Sequence, residues 1–285
     1  MGSLLDVKTV RGLTSRYGTQ WVERLPDLVG SLIEANNWTL RSHLPGGRTA
    51  CVLIVETSHG LAVLKVSPDL TRSRREVAAL HAMEAHQVGP QVIDYWEESH
   101  SETPSSVLLM ELLGSGGSIR DCARDNIPVD TLAKTLRKIT KCGECPLEVD
   151  LDSLKGPIEK RLTNPEWRGS RGAPRPSEAD ITDARSIFRD LMASTAGTWI
   201  HGTLHPGNLI FTESRVLAID PRPFAAGPAY DAAELSLKWG SERNGRRHNL
   251  EDGRQLWRDL RPHIGSTVED AAVDAWMRVL VTTAI

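Results

Sequence analysis

The stretch His201-Gly202-Thr203-Leu204-His205-Pro206-Gly207-Asn208-Leu209-Ile210-Phe211, followed by Val216-Leu217-Ala218-Ile219-Asp220-Pro221-Arg222-Pro223, carries the most information in this sequence. A polar loop lies between two apolar, strand-like runs. The loop ends in Asn208, and Asp220 follows twelve residues later at the end of the next run. Two strands joined by a short turn bring these ends together. Asn carbonyl and Asp carboxylate oxygens are hard donors that suit Mg²⁺. The same residue types also serve turns and helix starts, where they bond to local backbone. Taken alone, the pair is equally compatible with an Asx turn and a helix cap.

Outward from this segment, the chain changes texture twice. Residues 20–36 place Trp21, Val22, Leu25, Val29, Leu32 and Ile33 at helical spacing, which predicts a helix. Short β-type runs follow at 38–40, 50–56 and 61–66, the last two separated by a four-residue turn, Thr57-Ser58-His59-Gly60. Residues 71–86 read as a helix, and 91–96 and 107–113 as two further strands. Five strands with one inserted helix make a small α+β unit. Gly114-Ser115-Gly116-Gly117-Ser118 has flexible-linker composition. The reading therefore divides the chain into 1–113 and 114–285. Residues 118–195 are expected to be mostly helical, with a Pro-, Gly- and Arg-rich loop around 164–176. Strands are expected at 198–200 and 215–219, and helices from Ala229 onward. The last apolar pattern is still in phase at Ile285, so a helix cut short there is expected.

Composition excludes more than it identifies. The 285 residues carry 34 Lys+Arg against 37 Asp+Glu, a net charge of −3, which argues against a dedicated nucleic-acid binder. Hydrophobic residues at 40% and charged residues at 25% match ordinary globular usage and argue against extensive disorder. No run approaches the roughly 18 apolar residues of a spanning helix. The start, Met1 to Asp6, shows no basic region followed by an apolar core. Cys51, Cys122, Cys142 and Cys145 are too few and too scattered for a disulfide scaffold, so a reducing cytoplasm is expected. The eight Trp against three Tyr and three Phe read first as packing anchors.

The loop and the strand after it resemble the aminoglycoside/hydroxyurea phosphotransferases, the streptomycin 6-kinase-like branch of the kinase fold. Their loop reads approximately H-G-D-L-H-P-G-N, matched by His201–Asn208. Their metal strand reads approximately L-A-I-D-P-K-P, matched by Leu217–Pro223. Gly227-Pro228-Ala229-Tyr230-Asp231 is similar to the family's G-D-P-A-Y-D, and Trp21-Val22-Glu23-Arg24-Leu25-Pro26 to its N-terminal helix. The resemblance implies a two-lobed protein-kinase-like α+β fold that uses ATP and Mg²⁺, with 1–113 as the nucleotide lobe and 114–285 as the substrate lobe. It implies Asn208 and Asp220 as metal ligands. It also implies a small-molecule hydroxyl as acceptor, on an antibiotic or another natural product, with a modified peptide as an alternative.

A kinase fold needs a strand Lys for the nucleotide phosphates and a helix Glu to orient it. Leu61-Ala62-Val63-Leu64-Lys65-Val66 and Arg75-Glu76-Val77 supply them, with Glu84 as the competitor to Glu76. Gly46 and Gly47 could bring backbone amides to phosphates, although two glycines are also ordinary turn chemistry. Met110-Glu111-Leu112-Leu113 falls at the hinge that the resemblance implies, where the backbone of Glu111 and Leu113 would bond adenine.

Two departures stand out. The family's catalytic Asp is replaced by Thr203, whose hydroxyl cannot act as a base near neutral pH. General-base assistance typically contributes about 10²–10⁴-fold, or roughly 3–5 kcal/mol. The family's Asp between Gly227 and Pro228 is also missing. Three readings follow. The first is a slow or reorganised phosphotransferase, with His205 assisting, since phosphoryl transfer relies largely on positioning and charge. The second is a pseudokinase that binds nucleotide, peptide or small molecule as a scaffold or accessory protein in natural-product biosynthesis. The third is an engineered inactivation.

The remaining features read as structural. Cys142 and Cys145 have C-x-x-C spacing but no second pair to complete a zinc site. Arg168, Arg171 and Arg175, and the cluster around Arg246 and Arg247, read as solvated loops. Asp231 is expected to hold the loop in place. Glu234 reads equally as helix N-terminal charge and as a group facing a cationic substrate.

Overall fold

The computed structural model describes residues 5–44, 49–98, 104–114, 118–120, 128–164, 176–193, 198–212, 215–245 and 248–283. Gly46 and Gly47, Cys122, the three loop arginines, Arg246, Arg247 and Ile285 lie outside the described residues. Contacts divide the chain into two units. Met1–His81 with Pro90–Ser115 forms the first, and Ala82–Gly89 with Gly116–Ile285 the second.

The first unit contains helices α1 (Val7–Tyr17) and α2 (Thr19–Ala35), strands β1 (Thr39–His43), β2 (Cys51–Thr57) and β3 (Gly60–Ser67), and the start of helix α3 (Leu70–Ala85). Strands β4 (Val92–Glu98) and β5 (Ser105–Glu111) complete it. The sheet is antiparallel in the order β1-β2-β3-β5-β4. Period-two burial is plain in β2, where Cys51, Leu53 and Val55 are fully buried and the residues between them less so. That face packs with Leu13, Trp21, Leu25 and Val29 of α1 and α2. The opposite face, with Val63, Leu108 and Met110, packs with Val77 and Leu80 of α3. Strand β3 is buried from Ala62 to its end because it is covered on both faces.

Two elements differ from the sequence reading. Helix α1 was not anticipated. Its start is fixed by Asp6, whose Oδ1 accepts a hydrogen bond from the Thr9 N–H at 2.9 Å. The β2–β3 turn is two residues, not four, since Thr57 and Gly60 pair with each other. Gly60 takes φ +114°, and the Thr57 hydroxyl oxygen accepts from the His59 N–H at 3.1 Å.

The second unit is mainly helical, with α4 (Val129–Gly143), α5 (Lys155–Thr163), α6 (Glu178–Ala193), α7 (Ala229–Arg243), α8 (Leu250–Ile264) and α9 (Asp270–Thr283). It also holds two short antiparallel pairs: β6 (Trp199–Ile200) with β9 (Phe224–Ala225), and β7 (Leu209–Thr212) with β8 (Arg215–Ala218). Tryptophans anchor this core. Trp199, Trp239, Trp257 and Trp276 are buried, and Trp276 meets Phe188 and Tyr230 edge-on at 5.9 and 5.1 Å. Helices α7 and α8 approach closely at Gly240, where a Cβ would stand 2.4 Å from the Asp252 carbonyl oxygen. No helix among the described residues is long and apolar enough to cross a membrane.

Candidate functional site

In the first unit, β3 delivers Lys65 and α3 delivers Glu76. The Lys65 Nζ donates to Glu76 Oε1 at 2.6 Å, and the two side chains are 9% and 2% exposed. Strand register sets Lys65 between Val52 of β2 and Leu108 of β5. A buried ion pair replaceable by apolar residues contributes little net stability, so its presence inside a covered sheet points to a role besides folding. Glu84, the competing acid, falls in the Ala82–Gly89 segment that belongs to the second unit.

At the end of β5, Glu111 makes a two-way bond with Gln91. Its N–H donates to the Gln91 carbonyl at 2.9 Å, and its Oε2 accepts from the Gln91 N–H at 3.1 Å. That backbone donor is therefore engaged. The Leu113 side chain is buried, and its N–H makes no hydrogen bond among the described residues. Gly114 follows in the left-handed region at φ +53°.

In the second unit the loop is built tightly. Gly202 takes φ +75°, and a Cβ there would lie 2.2 Å from the Arg222 carbonyl oxygen, so only glycine fits. The Asp231 carboxylate, on the first turn of α7, accepts from the His201 N–H at 2.6 Å and the Gly202 N–H at 2.9 Å. It holds the loop, as the sequence reading expects. Pairing of Leu209 with Ala218 and a bond from the Ile219 N–H to the Asn208 carbonyl bring Asn208 beside the end of β8. Asp220 comes one residue later, at φ +55°. The Asn208 Nδ2 donates to the Thr203 carbonyl at 2.9 Å, which leaves its Oδ1 as the amide's acceptor.

Thr203 is not idle. Its hydroxyl donates to the Asp220 carbonyl at 2.8 Å and lies 3.5 Å from His201 Nδ1. It thus fixes the backbone of a residue held in an uncommon conformation. His205 Nδ1 accepts from the Gly207 N–H at 3.1 Å, capping the single 3₁₀ turn Pro206–Asn208. A ring nitrogen engaged as an acceptor there is not available to take a substrate proton.

Electrostatics reinforce this arrangement. Burial pushes His201 down to about 4, so it is neutral near neutral pH, and its Nε2 has no hydrogen-bond partner among the described residues. Burial also lowers His205, with the Lys238 charge assisting. Burial pushes the Asp231 carboxyl up to about 7 against the pull of its two N–H donors. Glu234 is buried, and its Oε1 accepts from Lys238 Nζ at 2.7 Å. It therefore faces the protein interior with a cation of its own. Sequence reasoning did not find this pair, although Glu234 and Lys238 stand at i and i+4 on one helix face.

The donor set fits Mg²⁺. An amide oxygen and a carboxylate near one strand end are hard ligands, and Mg²⁺ ordinarily completes its shell with water and phosphate oxygens. No group of three or more His, Cys, Asp or Glu that could hold a metal occurs among the described residues. Cys142 is buried with its thiol pushed up to about 12, so it stays protonated near neutral pH, and Cys145 is exposed.

Comparison with known proteins agrees with this geometry. A family model described as phosphotransferase enzyme family matches residues 42–263. Streptomycin 6-kinase of Streptomyces glaucescens is 25% identical over 226 residues, spanning 78% of this chain and 70% of that protein. Hydroxyurea phosphotransferase of Kitasatospora aureofaciens is 29% identical over 231 residues, spanning 75% of this chain and 61% of that protein. Among solved structures, aminoglycoside phosphotransferase APH(3'')-Id from Streptomyces rimosus aligns with TM-score 0.58 at 16% identity, covering 92% of this chain and 99% of that one. Aminoglycoside phosphotransferase APH(4)-Ia aligns with TM-score 0.61 at 12% identity, covering 90% and 89%. These two likenesses carry the kinase-like fold.

Proposed function

The chain belongs to the phosphotransferase enzyme family, and from that premise we propose that it transfers the γ-phosphoryl group of ATP to a hydroxyl of a small molecule. In this reading Lys65, oriented by Glu76, binds the nucleotide phosphates, and the unused N–H of Leu113 bonds the adenine. Asn208 Oδ1 and the Asp220 carboxylate hold Mg²⁺, which neutralises phosphate charge when bound. The acceptor oxygen bonds to the γ-phosphorus as the bond to the departing ADP oxygen breaks, and the hydroxyl proton passes to water. The observation that carries the reading is the buried Lys65–Glu76 pair at 2.6 Å, and the bond from the Ile219 N–H to the Asn208 carbonyl, one residue before Asp220, supports it. A homologous structure bound to ADP and streptomycin is similar in fold, which supports a nucleotide and a hydroxyl-bearing acceptor here.

Thr203 favours a second reading, a pseudokinase that binds nucleotide without transferring it. The hydroxyl proton is committed to the Asp220 carbonyl, so no base stands at the position where the family's loop carries Asp. Magnesium-dependent ATP binding and ADP formation, measured for the wild type and Thr203→Asp across a panel of hydroxyl acceptors, separate the two. Wild-type turnover supports the transferase. Binding without turnover, restored by Asp, supports the pseudokinase. Absence of Mg–ATP binding sinks both.

A further inference from the structure

The His205 ring is fixed at one nitrogen and unpaired at the other. Its Nδ1 accepts from the Gly207 N–H at 3.1 Å. A neutral imidazole has one acceptor nitrogen and one N–H, so the bond at Nδ1 puts the proton on Nε2. Nε2 makes no hydrogen bond among the described residues. The residue is half-buried, whereas His201, whose Nε2 is also unpaired, is 0% exposed. Close packing holds the ring in place. A Cβ on Gly207 would stand 3.0 Å from His205 Cε1 and 3.3 Å from Arg120 Nη1, so glycine lets the ring and the guanidinium close on the turn. Arg120 is itself held by Glu242 of α7, which accepts from its Nε at 3.2 Å and its Nη2 at 3.0 Å. The Ile119 N–H beside it donates to the Leu209 carbonyl at 2.7 Å, which ties this segment to β7. Burial and the charges of Lys238 and Arg120 favour the neutral ring.

We propose that His205 Nε2–H donates a hydrogen bond to a γ-phosphoryl oxygen of the bound nucleotide, as a neutral donor and not as a base. The inference rests on the phosphotransferase reading above and adds a catalytic residue to it. The loop puts the donor in range. The His205 carbonyl accepts from the Asn208 N–H at 2.8 Å, so the two residues flank one 3₁₀ turn, about 6 Å apart at Cα. Asn208 holds Mg²⁺ in that reading, and the ion takes phosphate oxygens into its own shell at about 2 Å. A phosphate oxygen bound there is within a side chain's length of the ring. Thr203, on the same loop, occupies the position of the family's base, where acceptor and nucleotide meet, so the phosphate beside His205 is the transferred one. A fixed neutral donor suits a reaction that relies on positioning and charge stabilisation more than on a strong base.

Two variants separate the two ring nitrogens. His205→Asn keeps a polar oxygen near the Nδ1 position, which can still accept from Gly207, and removes the Nε2 donor. His205→Gln carries an amide N–H near the Nε2 position and gives up the Nδ1 acceptor. The full chain is titrated calorimetrically with Mg–AMP-PNP and with Mg–ADP, and Tm is recorded for each variant. His205→Asn is expected to weaken Mg–AMP-PNP about tenfold or more, with Mg–ADP affinity and Tm close to wild type. His205→Gln is expected to keep most of the Mg–AMP-PNP affinity and to lower Tm, since the cap of the turn is lost. Unchanged Mg–AMP-PNP affinity in His205→Asn overturns the proposal. An equal loss for both nucleotides also overturns it, because a loop that has merely shifted does not tell them apart. Should His205→Asn be unfolded, the Gln variant decides alone: a retained preference for Mg–AMP-PNP over Mg–ADP supports the donor, and its loss overturns it. Wild-type binding of neither nucleotide sinks the phosphotransferase reading and the donor role together, whereas wild-type binding with no γ-specific loss sinks the donor role only.

Discussion

At the residue scale, the Lys65–Glu76 pair sits where neither charge can be solvated alone. Lys65→Met leaves a carboxylate that is 2% exposed without its cation, and chemical denaturation is expected to show a loss of about 3–5 kcal/mol. Adding Glu76→Leu should restore most of that stability while leaving ATP affinity low. A single variant as stable as the wild type would contradict the burial argument. Thr203 sets a limit on its own replacement. An ionised Asp at 203 cannot donate to the Asp220 carbonyl, so Thr203→Asp is expected to lose about 1 kcal/mol of stability even where it adds a base. Thr203→Ser, which keeps the donor, should lose less.

His201 and Asp231 give opposite pH signatures. His201 titrates at about 4 in the folded chain instead of its ordinary 6.5. Between those values the unfolded state binds the extra proton, so this contribution to stability is lost as pH falls from 6.5 to 4. Asp231 is raised from 3.8 to about 7. There the folded state binds the extra proton, and stability falls as pH rises through the same range. His201→Gln removes only the first effect. Its stability relative to wild type is expected to improve by about 3 kcal/mol on going from pH 6.5 to 4. Parallel pH profiles for the two proteins would show that His201 is not held neutral.

At the element scale, the loop between β6 and β7 is fixed by its neighbours more than by itself. Gly202 passes against the Arg222 carbonyl, Asp231 of α7 holds two of the loop's N–H groups, and strand pairing aligns Asn208 with β8. The α7–α8 contact has a comparable dependence on a missing side chain. Gly240→Ala would place a methyl 2.4 Å from the Asp252 carbonyl oxygen and must force the two helices apart. A loss of about 1–3 kcal/mol is expected, measured as a lower denaturation midpoint. Gly30→Ala, where nothing lies within 4 Å of the added carbon, is expected to be neutral or mildly stabilising and serves as the control.

At the scale of the whole molecule, Mg–ATP at about a hundred times its Kd should raise stability by about 2.7 kcal/mol. Asp220→Ala should abolish the magnesium-dependent part of that gain in a thermal scan. Thr203→Ser should keep it, because Thr203 contacts backbone and His201 and is no part of the proposed metal or phosphate set. An equal gain in Asp220→Ala and wild type would remove Asp220 from the metal role.

The local patterns of the chain determined a good deal by themselves. Strand periodicity gave the five-stranded unit, helical periodicity gave α2 and α3, and two motifs gave the loop and the family. These are legible because period and spacing are properties of adjacent residues. Helix α1 was missed although Val10, Leu13 and Tyr17 stand at helical spacing, because they are interrupted by Gly12, Ser15 and charged residues. Tertiary structure decided what depends on residues far apart in sequence. It chose Glu76 as the partner of Lys65, engaged the Glu111 N–H, and tied the Thr203 hydroxyl to Asp220. Burial and hydrogen-bond partners are set by which surfaces meet, and no local pattern in the chain carries that information.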